Sequence, residues 1–207
     1  IVGLDRLADC NDTCDQVKAL GRRFLQIEYD LSNNSPESLD GVVSDVIAEF
    51  GRLDILVNNA GIIRRSPAID FSESDWDQVI DINQKALFFL SQAAAKVMMS
   101  NGKGKIINIA SMLSYQGGIL VPSYTAAKSA VIGLTRALAN EWADKGINVN
   151  AIAPGYMATD NTAPLRADVE RNQSILARIP AGRWGEPGDL KGIVVFLASE
   201  ASDYLDG

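Results

Sequence analysis

Five short apolar runs, separated by longer stretches of helical periodicity, constrain this chain more than any other feature. The runs are Ile1–Leu4, Phe24–Ile27, Ile55–Val57, Ile106–Ile109 and Ile147–Ile152. Each is brief and rich in β-branched residues, as strands buried on both faces of a parallel sheet must be. Between them Leu39, Val42, Val43, Val46, Ile47 and Phe50 repeat at the helical period and form one apolar stripe. Ser35-Pro36 supplies a cap and a proline at the first helical position, and Gly51 a stop. Further periodic segments predict long helices over Trp76–Met99 and Tyr124–Trp142 and a shorter one over Asp189–Ala198. Strand–helix–strand alternation of this kind predicts a doubly wound α/β fold with a parallel sheet, as a single domain over 1–207.

Ligands in such sheets bind beyond the carboxyl ends of the strands. The residues found there are Asp5, Asp30-Leu31, Asn58-Asn59-Ala60-Gly61, Ala110-Ser111 and Ala153-Pro154-Gly155, all small, polar or acidic. Composition narrows the chemistry. The chain has no histidine, which excludes Ser-His-Asp and Cys-His nucleophile systems and nearly all catalytic zinc sites. Proton transfer therefore falls to carboxylate, lysine, tyrosine or cysteine. A net charge of −7 offers nothing to a phosphate backbone, so no nucleic-acid partner is expected. No apolar run reaches membrane-spanning length and no signal pattern opens the chain, so a soluble cytoplasmic protein is expected. Cys10 and Cys14 are expected as two free thiols rather than a redox or metal motif.

Tyr124 and Lys128 stand one helical turn apart on one face. A phenol titrates near 10, so it serves as a base at neutral pH only if a nearby cation favours its anion. The ammonium of Lys128 is placed to do that. Taken alone, the spacing also fits an amphipathic helix with a snorkelling lysine. Ser111 at the end of a buried strand, and the Asn-Asn-Ala-Gly run after Ile55–Val57, favour the functional reading.

Asn58-Asn59-Ala60-Gly61, Asn83 within Asp-Ile-Asn, Ser111, Tyr124-x-x-x-Lys128 and Pro154-Gly155 resemble, in order and spacing, the successive signatures of the short-chain dehydrogenase/reductase family. The resemblance runs over essentially the whole chain and implies a Rossmann-like fold. It implies Tyr124 as acid/base, Lys128 lowering its pKa and binding the nicotinamide ribose, and Ser111 polarising the substrate oxygen. Asn83 would hold a water linking Lys128 to solvent. Asp5 would take the adenosine ribose hydroxyls and favour NAD over NADP, although Arg6 beside it could accommodate a phosphate. Asp30 and Leu31 would flank the adenine. Asn58, Ala60, Gly61, Pro154, Gly155, Met157 and Thr159 would complete the cofactor site, with no metal.

Within that family, stretches such as Ala60-Gly61-Ile62-Ile63-Arg64-Arg65 and Arg178-Ile179-Pro180-Ala181-Gly182-Arg183-Trp184-Gly185 resemble members acting on sugar acids. The expected reaction is hydride transfer between NAD and a hydroxyl or keto group of a sugar acid such as 2-dehydro-3-deoxy-D-gluconate. The alternatives are another polyol or keto acid, or a non-catalytic nucleotide-binding protein of the same fold. Arg64, Arg65 and Arg183 are candidate partners for the substrate carboxylate, with Arg64 the first choice. The resemblance also implies a homotetramer joined through the two long helices, and apolar residues on more than one face (Phe88, Phe89, Val97, Val131, Leu134, Leu138) agree with that. The family's glycine-rich phosphate loop, first strand and last strand have no counterpart here, so a fragment of a longer chain is expected. Because that first strand is central in the family, unpaired backbone is expected on the two strands that would flank it.

Overall fold

The computed structural model describes residues 1–7 and 11–207; Cys10, and with it the expected pair of thiols, lies outside the described residues. Cys14 is a free, half-buried thiol. The strands fall where the apolar runs predict: β1 (Val2–Asp5), β2 (Leu25–Glu28), β3 (Ile55–Asn58), β4 (Gly104–Ile109) and β5 (Ile147–Ile152). All pair in parallel, β1 with β2 and β3-β4-β5 as a second ladder. The two ladders do not hydrogen-bond to each other, so β1 and β3 each keep an unpaired edge among the described residues, as expected. Ile55 and Val57 on β3 are correspondingly exposed.

Helices cover the strands: α1 (Asn11–Ala19), α2 (Pro36–Phe50), α3 (Glu73–Ile80), α4 (Leu87–Asn101), α5 (Leu113–Gln116), α6 (Pro122–Trp142), α7 (Ala163–Ala167), α8 (Val169–Leu176) and α9 (Lys191–Leu197). α2 follows its sequence signals closely. The Ser35 hydroxyl accepts from the Ser38 N–H at 3.2 Å, Pro36 opens the helix, and Gly51 closes it in the left-handed region at φ 76°. Its stripe (Leu39, Val42, Val43) packs with Leu90 and Ala93 of α4 and with Leu4, Ile27 and Leu56. That one cluster joins both ladders into a common core. A second cluster sets Ile106, Ile147 and Val149 against Met98, Leu138 and Trp142.

The single helix expected over Trp76–Met99 is instead α3 and α4 joined by a π-helical turn, Asp81–Ala86. A π-turn adds one residue without breaking the chain direction, so the apolar pattern does not betray it. Of the apolar residues expected as surplus on the long helices, two are buried and four are partly buried. Phe88, Phe89, Val97 and Leu134 pack on core clusters, and Val131 and Leu138 are buried. Among the described residues no helix is long and apolar enough to cross a membrane.

β4 is the innermost strand. Even its charged residue, Lys105, is buried, its amine donating to Asn148 at 2.6 Å, Asp203 at 2.7 Å and Ser202 at 3.2 Å. Gly146 ends the turn that feeds β5, with φ 79°, and its carbonyl accepts from Gly104 N–H at 3.0 Å. A Cβ there would overlap the Gly102 carbonyl oxygen. Gly146→Ala is therefore expected to lose at least about 2 kcal/mol, left-handed strain plus backbone displacement. Urea unfolding at unchanged slope is the measurement, and a loss below about 0.5 kcal/mol, the range of ordinary surface changes, would contradict it.

Candidate active site

The carboxyl ends of β3, β4 and β5 open into a cavity of about 760 Å³. Ser111 stands just beyond β4. Its backbone is locked by the Ala110 N–H to Ile152 C=O bond (2.8 Å) on one side and the Met112 N–H to Pro154 C=O bond (2.9 Å) on the other. Short α5 then ties this strand end to α6, because the Ser114 hydroxyl donates to the Lys128 carbonyl at 2.7 Å. Tyr124 and Lys128 enter the cavity from the first turns of α6, while Pro154, Gly155, Met157 and Thr159 come from the chain after β5. Gly61 forms part of the wall, where a Cβ would come within 3.2 Å of Asn83 Oδ1 and 3.7 Å of Lys128 Nζ. A Cβ there would press on the Asn83 carboxamide.

Asn83 sits in the π-turn and is fully buried. Its carboxamide grips Ile62 from both sides, accepting from the N–H and donating to the C=O, each at 2.8 Å. In this structure Asn83 thus shapes the loop after β3. The Lys128 amine donates to the Ile109 carbonyl at 2.5 Å and lies 5.8 Å from the Tyr124 ring centre. Burial lowers its pKa from the ordinary 10.5 to about 8. Burial likewise raises the Tyr124 phenol, against which the Ser111 hydroxyl and the Arg65 guanidinium pull downward. Two cations thus stand near the phenol, Arg65 with a downward pull on it and Lys128 beside its ring.

The other expected residues divide. Asn58 is buried and turns inward, donating to Ser91 Oγ at 2.9 Å and Asn108 Oδ1 at 2.8 Å, so it does not line the cavity; neither does Ala60. Neighbouring Asn59 does. Asp5 is exposed at the end of β1, its carboxylate accepting from Leu7 N–H at 2.9 Å. Asp30, at the end of β2, is held below the usual carboxylate range by its bond from Ser32 N–H, with a smaller pull from Arg6. Asp5, Asp30 and Leu31 all lie outside this cavity. Arg64, the first choice for the substrate, faces away in an ion pair with Asp75 at 3.3 Å and a bond to Gln78. Arg183 is committed to Asp189 at 2.7 Å. Arg65 is the arginine that lines the cavity, and it also donates to the Asn161 carbonyl at 2.8 Å. The wall formed by Asn161, Thr162 and Leu165 and by Lys191, Val194 and Val195 carried no signal beyond its apolar and polar mix. No cluster of His, Cys, Asp and Glu able to hold a metal occurs among the described residues.

A serine hydroxyl, a phenol and a buried amine around an open, largely apolar cavity are the equipment for moving a proton at a carbonyl or hydroxyl beside a bound nicotinamide. The model of the short chain dehydrogenase family matches residues 1–170, and the chain belongs to that family. It is 60% identical over 208 residues to the 2-dehydro-3-deoxy-D-gluconate 5-dehydrogenase of Escherichia coli K12, a match covering 100% of this chain and 81% of that protein. It superposes with a TM-score of 0.90 and 54% identity on a putative 2-deoxy-D-gluconate 3-dehydrogenase from Agrobacterium tumefaciens with bound NADP, over 99% of this chain and 80% of that one. A putative NAD(P)-dependent gluconate 5-dehydrogenase from Beutenbergia cavernae, also with NADP, gives a TM-score of 0.93 at 46% identity, over 99% of this chain and 81% of that one.

The lowered Lys128 pKa has a stability consequence. The folded value, about 8, lies below the unfolded 10.5, so between those values the unfolded chain binds more protons and stability rises with pH. Below pH 8 the full cost of burying the charge is present. Lys128→Met should therefore unfold at higher temperature than the parent at pH 7, by on the order of 1–3 kcal/mol, and the gap should close as pH rises towards 10.5. Calorimetry across that range checks it; a gap that widens with pH would refute the assignment.

Proposed function

We propose that this protein is an NAD-dependent sugar-acid oxidoreductase, taking a substrate of the 2-dehydro-3-deoxy-D-gluconate type. The observation that carries the reading is the convergence of Ser111, Tyr124, Lys128 and Arg65 on one cavity. The first three supply proton chemistry at a hydroxyl or keto carbon, and the fourth supplies a cation for an acid. High identity to named sugar-acid dehydrogenases supports the same substrate class.

The nicotinamide supplies hydride exchange when bound. The chain's own residues do the rest. Ser111 offers its hydroxyl to the substrate oxygen and holds it against the phenol. Tyr124 as the phenol, the form that burial favours, donates its proton to that oxygen in the reducing direction; as the phenolate it accepts the hydroxyl proton in the oxidising one. Lys128 binds the ribose and completes the proton route. Pro154, Gly155, Met157 and Thr159 form the nicotinamide end, Gly61 giving the close approach, and Asp5 takes the adenosine ribose with Asp30 and Leu31 beside the adenine. The residues present fit the nicotinamide and ribose ends of the cofactor. A single-domain reading over 1–207, a cytoplasmic location and a homotetramer with two-fold interfaces go with this proposal; sedimentation at micromolar concentration decides the last.

Absorbance at the reduced-nicotinamide band, with NADH and a panel of keto sugar acids, tests the reading. Tyr124→Phe should abolish turnover and leave cofactor affinity nearly unchanged, because the ring still packs; turnover within about tenfold of the parent would remove the acid/base assignment. Asp5→Ser should move preference from NAD towards NADP with Arg6 free to meet the extra phosphate, and a parent that already prefers NADP overturns the NAD assignment. Arg65→Met should raise KM for the sugar acid by about tenfold or more and leave KM for neutral polyols unchanged. It should also move the rising, acid-side limb of oxidation to higher pH, since a cation pulling the phenol down is gone. Equal losses on acid and polyol would return Arg65 to a structural role.

A further inference from the structure

Four buried polar side chains cross the centre of the molecule in one hydrogen-bonded row. Asn58 on β3 and Asn108 on β4 are register partners, so their side chains share a face of the sheet. Asn58 Nδ2 donates to Ser91 Oγ of α4 at 2.9 Å and to Asn108 Oδ1 at 2.8 Å. Asn108 Nδ2 donates onward to Thr135 Oγ1 of α6 at 3.0 Å. Each hydroxyl then donates to its own helix, Ser91 to Leu87 C=O at 2.7 Å and Thr135 to Val131 C=O at 2.8 Å. None of the four exceeds 7% exposure, and none has an unpartnered buried atom.

Their positions relative to the site give the row its meaning. β3 leads into Asn59 and Gly61, α4 continues from the π-turn holding Asn83, β4 leads into Ser111 two residues beyond its end, and α6 carries Tyr124 and Lys128. The row takes one residue from each of these elements. On α6, Tyr124, Lys128, Val131 and Thr135 form a single stripe at helical spacing, so Thr135 lies two turns beyond Lys128 on the same face. On β4, Asn108 precedes Ile109, whose carbonyl takes the Lys128 amine. α6 is therefore tied to β4 by two polar bonds on one stripe. Apolar contact is non-directional and permits sliding, whereas a row of bonds at 2.7–3.0 Å sets a register.

We propose that Asn108 and Thr135, with Asn58 and Ser91, are positioning residues for catalysis: they lock the register of α6 against β4 and so hold Lys128 and Tyr124 opposite Ser111. Without the Asn108–Thr135 bond, Lys128 alone ties the stripe to β4, and the cost of burying its charge drives the amine outward. The proposal rests on the catalytic reading of Ser111, Tyr124 and Lys128. One of its readouts needs no turnover.

Thr135→Val keeps shape and removes the hydroxyl, while Thr135→Ser keeps the hydroxyl. In the full chain, Thr135→Val should lower kcat by about 10²-fold, the cost of an ångström-scale misplacement, with cofactor KM within about threefold; Thr135→Ser should restore kcat. In the same proteins without ligand, the ¹³C resonance of the Lys128 side chain, assigned by its loss in Lys128→Met, should titrate from about 8 in the parent towards 10.5 in Thr135→Val. Thr135→Ala, a stronger helix former, takes its place if Thr135→Val does not fold. Lowered melting temperature with unchanged kcat and an unmoved Lys128 titration overturns the proposal. If the parent turns over no sugar acid, the functional reading falls, and the titration alone still decides the register lock.

Discussion

The hydrogen bond from the Lys128 amine to the Ile109 carbonyl joins the helix that carries the phenol to the strand that carries the serine. Everything at the site depends on it being buried. In water such a bond would contribute little, because both groups would be solvated. Here burial lowers the amine to about 8, raises the phenol, and makes each nearby charge count for more than it would at a surface. The protein therefore keeps a group that opposes folding at neutral pH, which is a common signature of a reactive site.

That burial follows from the strand layout. β4 has neighbours on both edges, with α4 and α6 packed on one face and α9 on the other. Its carboxyl end is the place where chain leaves the sheet without being covered, and there Ser111, Pro154 and Gly155 meet. The loop after β3 is held down by Asn83, whose two bonds to Ile62 leave Gly61 against the site. Arg65 then reaches across the cavity to Asn161, joining the loops after β3 and β5 over the space a substrate would occupy.

Much of this was legible in the sequence. The five strands, the capped helix α2 and the identity of Ser111, Tyr124 and Lys128 follow from local patterns. A parallel strand buried on both faces is apolar, a side-chain cap shows at the helix start, and two side chains one turn apart share a helix face. Where the structure places a residue away from the cavity, the cause is physical too. Asn58 reads as a site residue because it ends a strand, but strand parity turns its side chain inward while Asn59 reaches the cavity. Arg64 and Arg65 are adjacent and identical in type, and what separates them is Asp75 of α3, which takes Arg64.

By itself the sequence determined the fold class, the residues able to move a proton and the absence of any imidazole to do it. Those depend on side-chain type and on spacing within a single element, and both can be read along a chain. Tertiary structure alone decided which arginine lines the cavity, which groups surround the phenol, and that Asn58, Ser91, Asn108 and Thr135 form one row through the core. These depend on distances between elements far apart in sequence and on how much water is excluded between them. No local pattern encodes either quantity, because each appears only once the sheet and its helices have packed.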